Sequence, residues 1–252
     1  MSDTAAPPTV FPRLAPIGMT GMLVTFSGIL TESANRAALA FRAALVRESW
    51  PGVEETSATL TSVFVRFDPL HLSHAALGAR LRDLLASADW LAAPLPGGRR
   101  RWRIPTVYGG EAGPQLAEAA GHTGMTPQDA AADLSAARVQ VLTIGHGPGQ
   151  PYLGVLPPAW NLPRQSALTA RVPEGALVVA IRQLVLFSAP GPTGWRHVGQ
   201  TAFRCFSPDA DDPFALRPGD EATFHAVTPE TMAAIRRDPA AGNGGATCEA
   251  LP

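Results

Sequence analysis

The spacing of hydrophobic and polar residues predicts strands and helices in the first part of the chain. Predicted elements are a strand over 21–28, a helix over 31–49, two strands within 53–69, a helix over 73–90 and a strand over 99–108. The first helix places Ala38, Phe41 and Leu45 on one face and opens with a possible Thr31 cap. The order βαββαβ is typical of a split βαβ, ferredoxin-like unit.

The pattern changes after APLPGG at 93–98, a candidate joint. Two short helices are predicted near 112–121 and 127–136. Short apolar runs then alternate with Pro/Gly turns, as in VQVLTI, ALVVAIRQLVLFS, WRHVGQTAFRCF and DEATFHAV. Many short strands with such turns predict a small barrel or sandwich. We therefore expect an α+β protein with domains over 1–96 and 97–230, and a disordered tail over 231–252.

Composition and charge exclude several classes of function. Of 252 residues, 46% are hydrophobic, which is ample for a folded core, and the net charge of −1 gives no overall attraction to nucleic acid. Every basic residue is arginine, so a P-loop lysine, a Schiff-base lysine and biotin on this chain are excluded. The basic cluster RRRWR at 99–103 is either a phosphate-binding patch or a solvated strand edge.

The remaining sequence features indicate a cytoplasmic protein. Cys205 and Cys248 form no CxxC pair, and no apolar run reaches the roughly 18 residues that span a bilayer. Residues 1–16 lack a basic segment followed by an apolar one, so no signal peptide is predicted. A reducing compartment without structural disulfides is the expectation.

The segment GHGPGQPYLG, residues 145–154, is the most unusual stretch of the chain. A dinucleotide loop needs GxGxxG leading into a helix, whereas Gly145, Gly147 and Gly149 are spaced GxGxG. Two prolines in the segment oppose a helix as well. A ligand-facing loop and a rigid corner between strands both remain open.

No other stretch carries a complete catalytic or metal motif. GxSxG, HExxH and paired cysteines are absent from the sequence. His71 and His74 have a spacing that could bind metal, but a solvated helix start is the preferred interpretation. Four further residues are expected to be structural: Trp160, Trp195, His197 and His225.

Several multi-residue motifs occur in a fixed order. They are PRLAPIGMTGMLVTF, SANRAALAFRAAL, WPGVEET, VRFDPL, PTVYGGEAGPQL, IGHGPGQPYLGVLP, LPRQSALTARVPEGAL, PTGWRHVGQT and FALRPGDEATF. Over about residues 11–228 the chain resembles the allophanate hydrolase subunit 1 family, also called the KipI family or, after the B subunit of 5-oxoprolinase, the PxpB family. The resemblance implies a small α/β domain followed by a cyclophilin-like β-barrel.

The resemblance also implies partners and an activity. The expected partner is an allophanate hydrolase subunit 2 (KipA or PxpC) protein. With a LamB/YcsF-type subunit, such proteins hydrolyse 5-oxoproline at the expense of ATP, so ATP is expected at the level of the complex. KipI inhibits a sporulation histidine kinase, which leaves a non-catalytic regulatory protein as one alternative. A stand-alone enzyme recruited to a different substrate is another.

The chain departs from the family pattern around one expected pocket. The family loop reads close to GFxPGFPYLGGL, and its aromatic positions are His146 and Gln150 here. The family's AGGQTGIYP reads AIRQLVLFS, with Ile181 and Arg182 in place of two glycines, and its PRR reads PRQ. These changes indicate either a different polar ligand or drift in a non-catalytic subunit.

Residue chemistry and the resemblance together give a set of candidate site residues. The candidate substrate-binding residues are Gln150, Tyr152, Arg164, Arg171 and Gln183. Arg164 and Arg171 are expected to hold a carboxylate or phosphate, and Gln150 and Gln183 to bind an amide. His146 is the candidate catalytic residue, because it can exchange a proton near neutral pH; no metal is expected. The leading interpretation is a subunit of an ATP-dependent amidohydrolase acting on 5-oxoproline or a related small amide or lactam.

Overall fold

The computed structural model describes residues 10–145 and 147–251. The chain divides between Pro96 and Gly97 into two compact units. Each unit buries its own apolar cluster beneath a β-sheet. The predicted two-domain α+β class is confirmed.

The first unit packs two helices on a four-stranded antiparallel sheet. Its elements are β1 (Arg13–Ile17), β2 (Gly21–Thr25), α1 (Glu32–Glu48), β3 (Val53–Ala58), β4 (Ser62–Phe67) and α2 (His74–Ala86). The strand order is β1-β2-β4-β3. Thr31 caps α1 as predicted, since its Oγ1 accepts a hydrogen bond from the Ala34 N–H at 3.1 Å. Phe41 and Leu45 on the helix are buried with the apolar residues of β2 and β4.

The strand that completes this sheet is β1, and not the predicted strand over 99–108. β1 lies at the sheet edge beside β2. Its Pro16 lacks an N–H donor, which an edge strand tolerates. Because β1 is short, contains proline and is largely exposed, its sequence gives no alternating signal.

The second unit is built on a curled sheet of nine strands. The strands of the whole unit, including the separate pair β9 and β12, are β5 (Arg100–Arg103), β6 (Thr106–Tyr108), β7 (Val139–Ile144), β8 (Pro151–Gly154), β9 (Thr169–Val172), β10 (Ala176–Ala180), β11 (Gln183–Leu186), β12 (Gly191–Thr193), β13 (Arg196–Thr201), β14 (Glu221–Thr223) and β15 (Thr247–Ala250). Its α-helices are α3 (Leu116–Thr123), α4 (Pro127–Ala136) and α5 (Pro229–Arg237). The sheet order is β15-β5-β14-β7-β8-β11-β10-β13-β6, and β9 pairs separately with β12.

The two faces of this sheet bury different residues. On β10, Leu177 and Val179 belong to the larger cluster, which includes apolar residues of α3 and α4. Val178 points to the opposite face, where it joins a smaller cluster with Phe187 and Trp195. This smaller cluster underlies the candidate site.

The expectation of a disordered tail over 231–252 is wrong for the described part of that segment. Residues up to Arg237 complete α5, and β15 pairs antiparallel with β5. Asn243 fixes the connection, because its side chain donates to the Arg204 carbonyl at 2.9 Å and accepts from the Arg204 N–H at 2.8 Å. The Gly/Ala-rich composition offers few side chains to bury, which is why disorder was predicted. The segment is ordered because β15 pairs with β5 through the backbone, which does not depend on side-chain burial.

Among the described residues, no helix combines the length and the apolar character needed to cross a bilayer.

Candidate functional site

A pocket of about 270 Å³ in the second unit brings together three of the predicted site residues. Gln150 and Tyr152 enter it from the end of the β7–β8 hairpin and from β8, and Arg164 enters from the segment that precedes β9. Phe187 and Trp195 belong to its apolar lining. The pocket therefore combines a cation, an amide and aromatic surface within a small volume.

Gly145 and residues 147–150 lie in the tight connection between β7 and β8. The Gly145 N–H donates to the Gln150 carbonyl at 3.0 Å, and the Gln150 N–H donates to the Gly147 carbonyl at 3.1 Å. Gly149 has φ +69°, and a Cβ there would lie 2.7 Å from the Cys205 carbonyl oxygen. The loop leads into β8 rather than a helix, so it lacks the geometry of a dinucleotide-binding loop. His146 lies outside the described residues.

Arg164 is held over an aromatic platform. Its guanidinium carbon is 5.7 Å from the Trp195 ring centroid, within the range of a cation–π contact. Tyr152 meets the same ring edge-on, with centroids 6.1 Å apart and an interplanar angle of 83°. Trp195 is thus both a buried residue, as expected, and a wall of the pocket.

Arg196 fixes the segment that carries Arg164. This buried guanidinium donates to the Pro163 carbonyl at 2.6 Å and to Glu118 Oε1 at 2.8 Å. Arg196 also lies 3.0 Å from His122 Nε2. α3 is therefore tied to the backbone immediately before Arg164.

Gln165 stands where the family motif has an arginine, and its side chain forms hydrogen bonds within the protein. Its Nε2 donates to the Trp195 carbonyl at 2.9 Å, and its Oε1 accepts from Gln115 Nε2 at 2.5 Å. Gln115 Oε1 in turn accepts from the His197 N–H at 2.8 Å. The hydrogen bonds of Gln165 and Gln115 hold the wall of the pocket at Trp195. Because Gln165 is neutral, Arg164 is the cationic side chain of the segment 163–165.

Two polar side chains lie close together near the pocket. Gln150 is 4% exposed and lines the pocket. Ser188 Oγ is buried and has no hydrogen-bond partner among the described residues. Because a Cβ on Gly147 would lie 2.9 Å from Ser188 Oγ and 3.4 Å from Gln150 Oε1, both polar groups lie beside this glycine. Buried polar groups require partners, which a bound polar ligand or water supplies.

Arg171 and Gln183 do not line this pocket. Arg171 is exposed on β9. Gln183 is buried at the start of β11, opposite Gly154, whereas the pocket contacts β11 at Val185. The strand register therefore separates both residues from the pocket.

His71, His74 and Cys205 make contacts that are typical of residues with a structural role. His71 Nδ1 pairs with Asp68 at 2.5 Å, and His74 packs edge-on against Phe67. No group of three or more His, Cys, Asp and Glu residues suited to a metal occurs in the part of the chain that the structure describes. Burial raises the pKa of the Cys205 thiol, which disfavours a thiolate nucleophile.

The basic cluster at 99–103 is largely neutralised by carboxylates. Arg100 forms a 2.7 Å ion pair with the buried Asp220, and Arg101 pairs with Glu221 at 3.0 Å and Glu249 at 3.1 Å. Arg99 also lies 3.5 Å from Glu221. These pairs hold β5 in the sheet, so the cluster is not a free phosphate-binding patch.

Sequence relatives agree with the family indicated by the motifs. The family model of the carboxyltransferase domain, subdomain C and D, matches residues 12–216. The B subunit of the 5-oxoprolinase of Escherichia coli O157:H7 is 37% identical over 121 residues, which are 48% of this chain and 56% of that protein. The corresponding B subunit of Bacillus subtilis (strain 168) is 27% identical over 237 residues, which are 91% of this chain and 99% of that protein.

Solved structures give a similar result. The crystal structure of TTHA0988 matches with a TM-score of 0.70 and 31% identity, covering 82% of this chain and 40% of that one. The K. lactis urea amidolyase matches with a TM-score of 0.74 and 18% identity, covering 94% of this chain and 16% of that one. The second likeness concerns the fold alone, and in both cases this chain corresponds to a part of a longer polypeptide.

Proposed function

Because the chain belongs to the family of carboxyltransferase domains, subdomain C and D, we propose that it is one subunit of an ATP-dependent amidohydrolase. The proposed substrate is 5-oxoproline or a related small amide or lactam. The relatives named as the B subunit of 5-oxoprolinase support this proposal.

One observation carries the proposal: the pocket of about 270 Å³ offers a cation and an amide to the same small ligand. Arg164 over Trp195 would bind an anionic group, such as the carboxylate of 5-oxoproline, through charge-assisted hydrogen bonds. The Gln150 amide would donate to a lactam carbonyl or accept from a lactam N–H. The aromatic walls would pack against a compact ring.

The chemistry of bond cleavage is assigned to the assembled complex. His146 is proposed to move a proton near this pocket, because imidazole is the loop's group that titrates near neutral pH. We propose an allophanate hydrolase subunit 2 (KipA or PxpC) protein as partner, together with a LamB/YcsF-type subunit. ATP would act at the level of this complex, where it would activate the amide for hydrolysis.

The test of the pocket compares two arginine variants. Arg164→Ala should weaken 5-oxoproline binding or turnover by about 1.5–3 kcal/mol, the usual size of a charged hydrogen bond. Arg171→Ala, an exposed arginine outside the pocket, is the matched control and should change little. Calorimetry and coupled turnover with the co-expressed partner measure the effect, and thermal melting checks folding. Equal effects of both substitutions would remove Arg164 from the site.

The test of the assembly is separate. The chain and a subunit 2 homologue from the same organism should co-elute as one species in size-exclusion chromatography. Separate elution at micromolar concentrations would contradict the proposed subunit role, whatever the outcome for the pocket.

A further inference from the structure

A second and larger groove in the same unit shares no lining residue with the pocket that contains Arg164. Its volume is about 1040 Å³, and it lies between α5, β6 and the turn that begins at Gly109. We call it the α5 groove. Its size is that of a site for an organic molecule rather than for a single ion.

One side of the α5 groove is apolar. Met232 and Ala233 of α5 line it together with Val107 and Val227. The Tyr108 hydroxyl donates to the Phe224 carbonyl at 2.7 Å, so this residue offers its ring rather than its polar end. The wall therefore suits a hydrocarbon or ring that leaves water.

One helical turn beyond Met232 and Ala233, α5 adds two arginines to the groove, Arg236 and Arg237. Among the described residues, no carboxylate lies within 4.0 Å of either guanidinium group. The hydrogen bond described for Arg236 is a long one of 3.4 Å to the Thr201 carbonyl. Most donors of both side chains are therefore free to bind a ligand.

The charges of the lining are separated along the chain. Glu111 belongs to the turn that follows β6, and Glu174 lies 3.9 Å from Arg204. Both arginines belong to α5, and neither forms an ion pair with these glutamates. The end of the groove formed by the last turn of α5 therefore offers two unpaired cations to an anion.

The turn at Gly109 and Gly110 borders the groove. Both residues have positive φ, +70° and +55°, which glycine adopts readily. A Cβ on Gly110 would meet no atom within 4 Å. The turn belongs to the motif PTVYGGEAGPQL, of which Gln115 supports the pocket around Arg164 whereas Gly109 and Gly110 do not line that pocket.

We propose that the α5 groove binds a small organic anion with a hydrocarbon body, such as a medium-chain carboxylate. Arg236 and Arg237 hold its anionic group, and the wall around Met232 covers its apolar part. This site is independent of the amidohydrolase proposal and of any partner protein.

The test uses octanoate as the probe on the isolated full chain. Calorimetric titration should show binding of octanoate, while phosphate alone and octan-1-ol should each bind at least ten-fold more weakly. The double variant Arg236→Gln/Arg237→Gln should weaken octanoate at least ten-fold. Arg217→Gln is the matched control, because Arg217 is an exposed arginine of the same unit that pairs with Asp212.

A second variant tests the apolar wall without removing charge. Ala233 is exposed on α5, so Ala233→Trp should fill the groove without disturbing the core and should abolish octanoate binding. Arg164→Ala should leave octanoate binding unchanged, which separates this site from the proposed amidohydrolase pocket. No heat of binding at millimolar octanoate would overturn the proposal, as would unchanged affinity in both α5 variants. Preferential binding of an acidic peptide over octanoate would also overturn it, in favour of a protein-docking groove.

Discussion

Arg196 is the residue that most directly sets the shape of the small pocket. It is 4% exposed and connects Glu118 of α3 with the Pro163 carbonyl. We expect Arg196→Met to lower the free energy of unfolding by about 1–3 kcal/mol, because Glu118 and the Pro163 carbonyl then lose a charged hydrogen-bond donor. Urea denaturation measures the change. Arg217→Met removes an exposed ion pair and should cost at most about 0.5 kcal/mol; equal effects of the two substitutions would contradict the structural role of Arg196.

The same substitution reports on the site. Since the Pro163 contact precedes Arg164 in the chain, loss of Arg196 should also weaken ligand binding at the pocket. A variant that melts earlier but binds 5-oxoproline as tightly as the parent would show that the segment is held by Gln165 and its partners alone.

Two histidines that are wholly or partly buried give the second unit a defined response to acid. Burial lowers the pKa of His197, and burial followed by the charge of Arg103 lowers the pKa of His225. The unfolded chain protonates near its ordinary pKa of about 6.5. Below that pH the unfolded state binds more protons than the folded state, so folded stability is full above about pH 6.5 and falls as the pH drops through it.

We therefore expect the melting temperature to fall between about pH 6.5 and pH 5. His197→Gln should flatten this dependence, because glutamine keeps a polar side chain but does not take up the proton. Calorimetric melts across the pH range measure the slope. An identical slope in the variant would assign the acid response to other groups.

At the scale of elements, the β10–β11 hairpin carries backbone strain. Ile181 and Arg182 have φ of +45° and +62°, a region that is unfavourable for a β-branched residue. The segment 156–162 holds this turn through hydrogen bonds. The Ile181 N–H donates to the Leu162 carbonyl at 2.8 Å, and the Arg182 N–H and Nε donate to the carbonyls of Trp160 and Leu156. Ile181 is also one of the positions where the family motif has glycine.

We expect Ile181→Gly to raise the free energy of unfolding by about 0.5–1 kcal/mol. Relief of about 1–2 kcal/mol from the left-handed conformation is partly offset by the larger entropy of an unfolded glycine. Ile17→Gly is the control, because Ile17 is a similarly exposed isoleucine in strand β1 and should lose stability. A loss of stability in both variants would mean that Ile181 contributes packing that outweighs its strain.

Local sequence signals predicted most helices and strands but not every partner of a strand. The capped helices α1 and α2 and the apolar runs of β7 and β13 lie where their spacing placed them. The run ALVVAIRQLVLFS, predicted as one strand, is instead the hairpin of β10 and β11, because the backbone turns at Ile181 and Arg182. β5 was assigned to the wrong sheet, because its pairing with β14 and β15 depends on residues more than a hundred positions away. Trp102 of β5 packs edge-on against Phe203 of the second unit, a contact that no local pattern encodes.

In the candidate site, too, the sequence predicted some residues, whereas others depend on contacts between distant parts of the chain. The family resemblance groups Gln150, Tyr152 and Arg164 as candidate site residues, and the structure brings these three side chains to one pocket. Arg196 was missed, although it follows Trp195 in PTGWRHVGQT, because its role depends on contacts with α3 and Pro163. Arg171 could not be separated from Arg164 by residue type, since the position of Arg171 outside the pocket follows from the pairing of β9 with β12.

At the scale of the whole molecule, the chain has two cores with separate residues. The cluster around Phe41 and Val65 belongs to the unit that ends at Pro96, and the clusters around Trp160 and Trp195 belong to the unit that begins at Gly97. A fragment that begins at Gly97 therefore keeps its complete hydrophobic core.

We expect the fragment 97–252 to unfold in one cooperative transition, whereas 97–242 should be markedly less stable. The shorter fragment loses the pairing of β15 with β5, both hydrogen bonds between Asn243 and Arg204, and the Arg101–Glu249 ion pair. With about 1 kcal/mol for each of several hydrogen bonds, the loss should be at least about 2 kcal/mol, or about 4–8 °C in melting temperature. Glu249→Gln in the longer fragment is the control for the ion pair and should cost at most about 0.5 kcal/mol. Calorimetry and circular dichroism measure both quantities. A non-cooperative melt of 97–252 would show that the second unit needs the first, and equal stability of the two fragments would show that the terminal strand contributes nothing to the sheet.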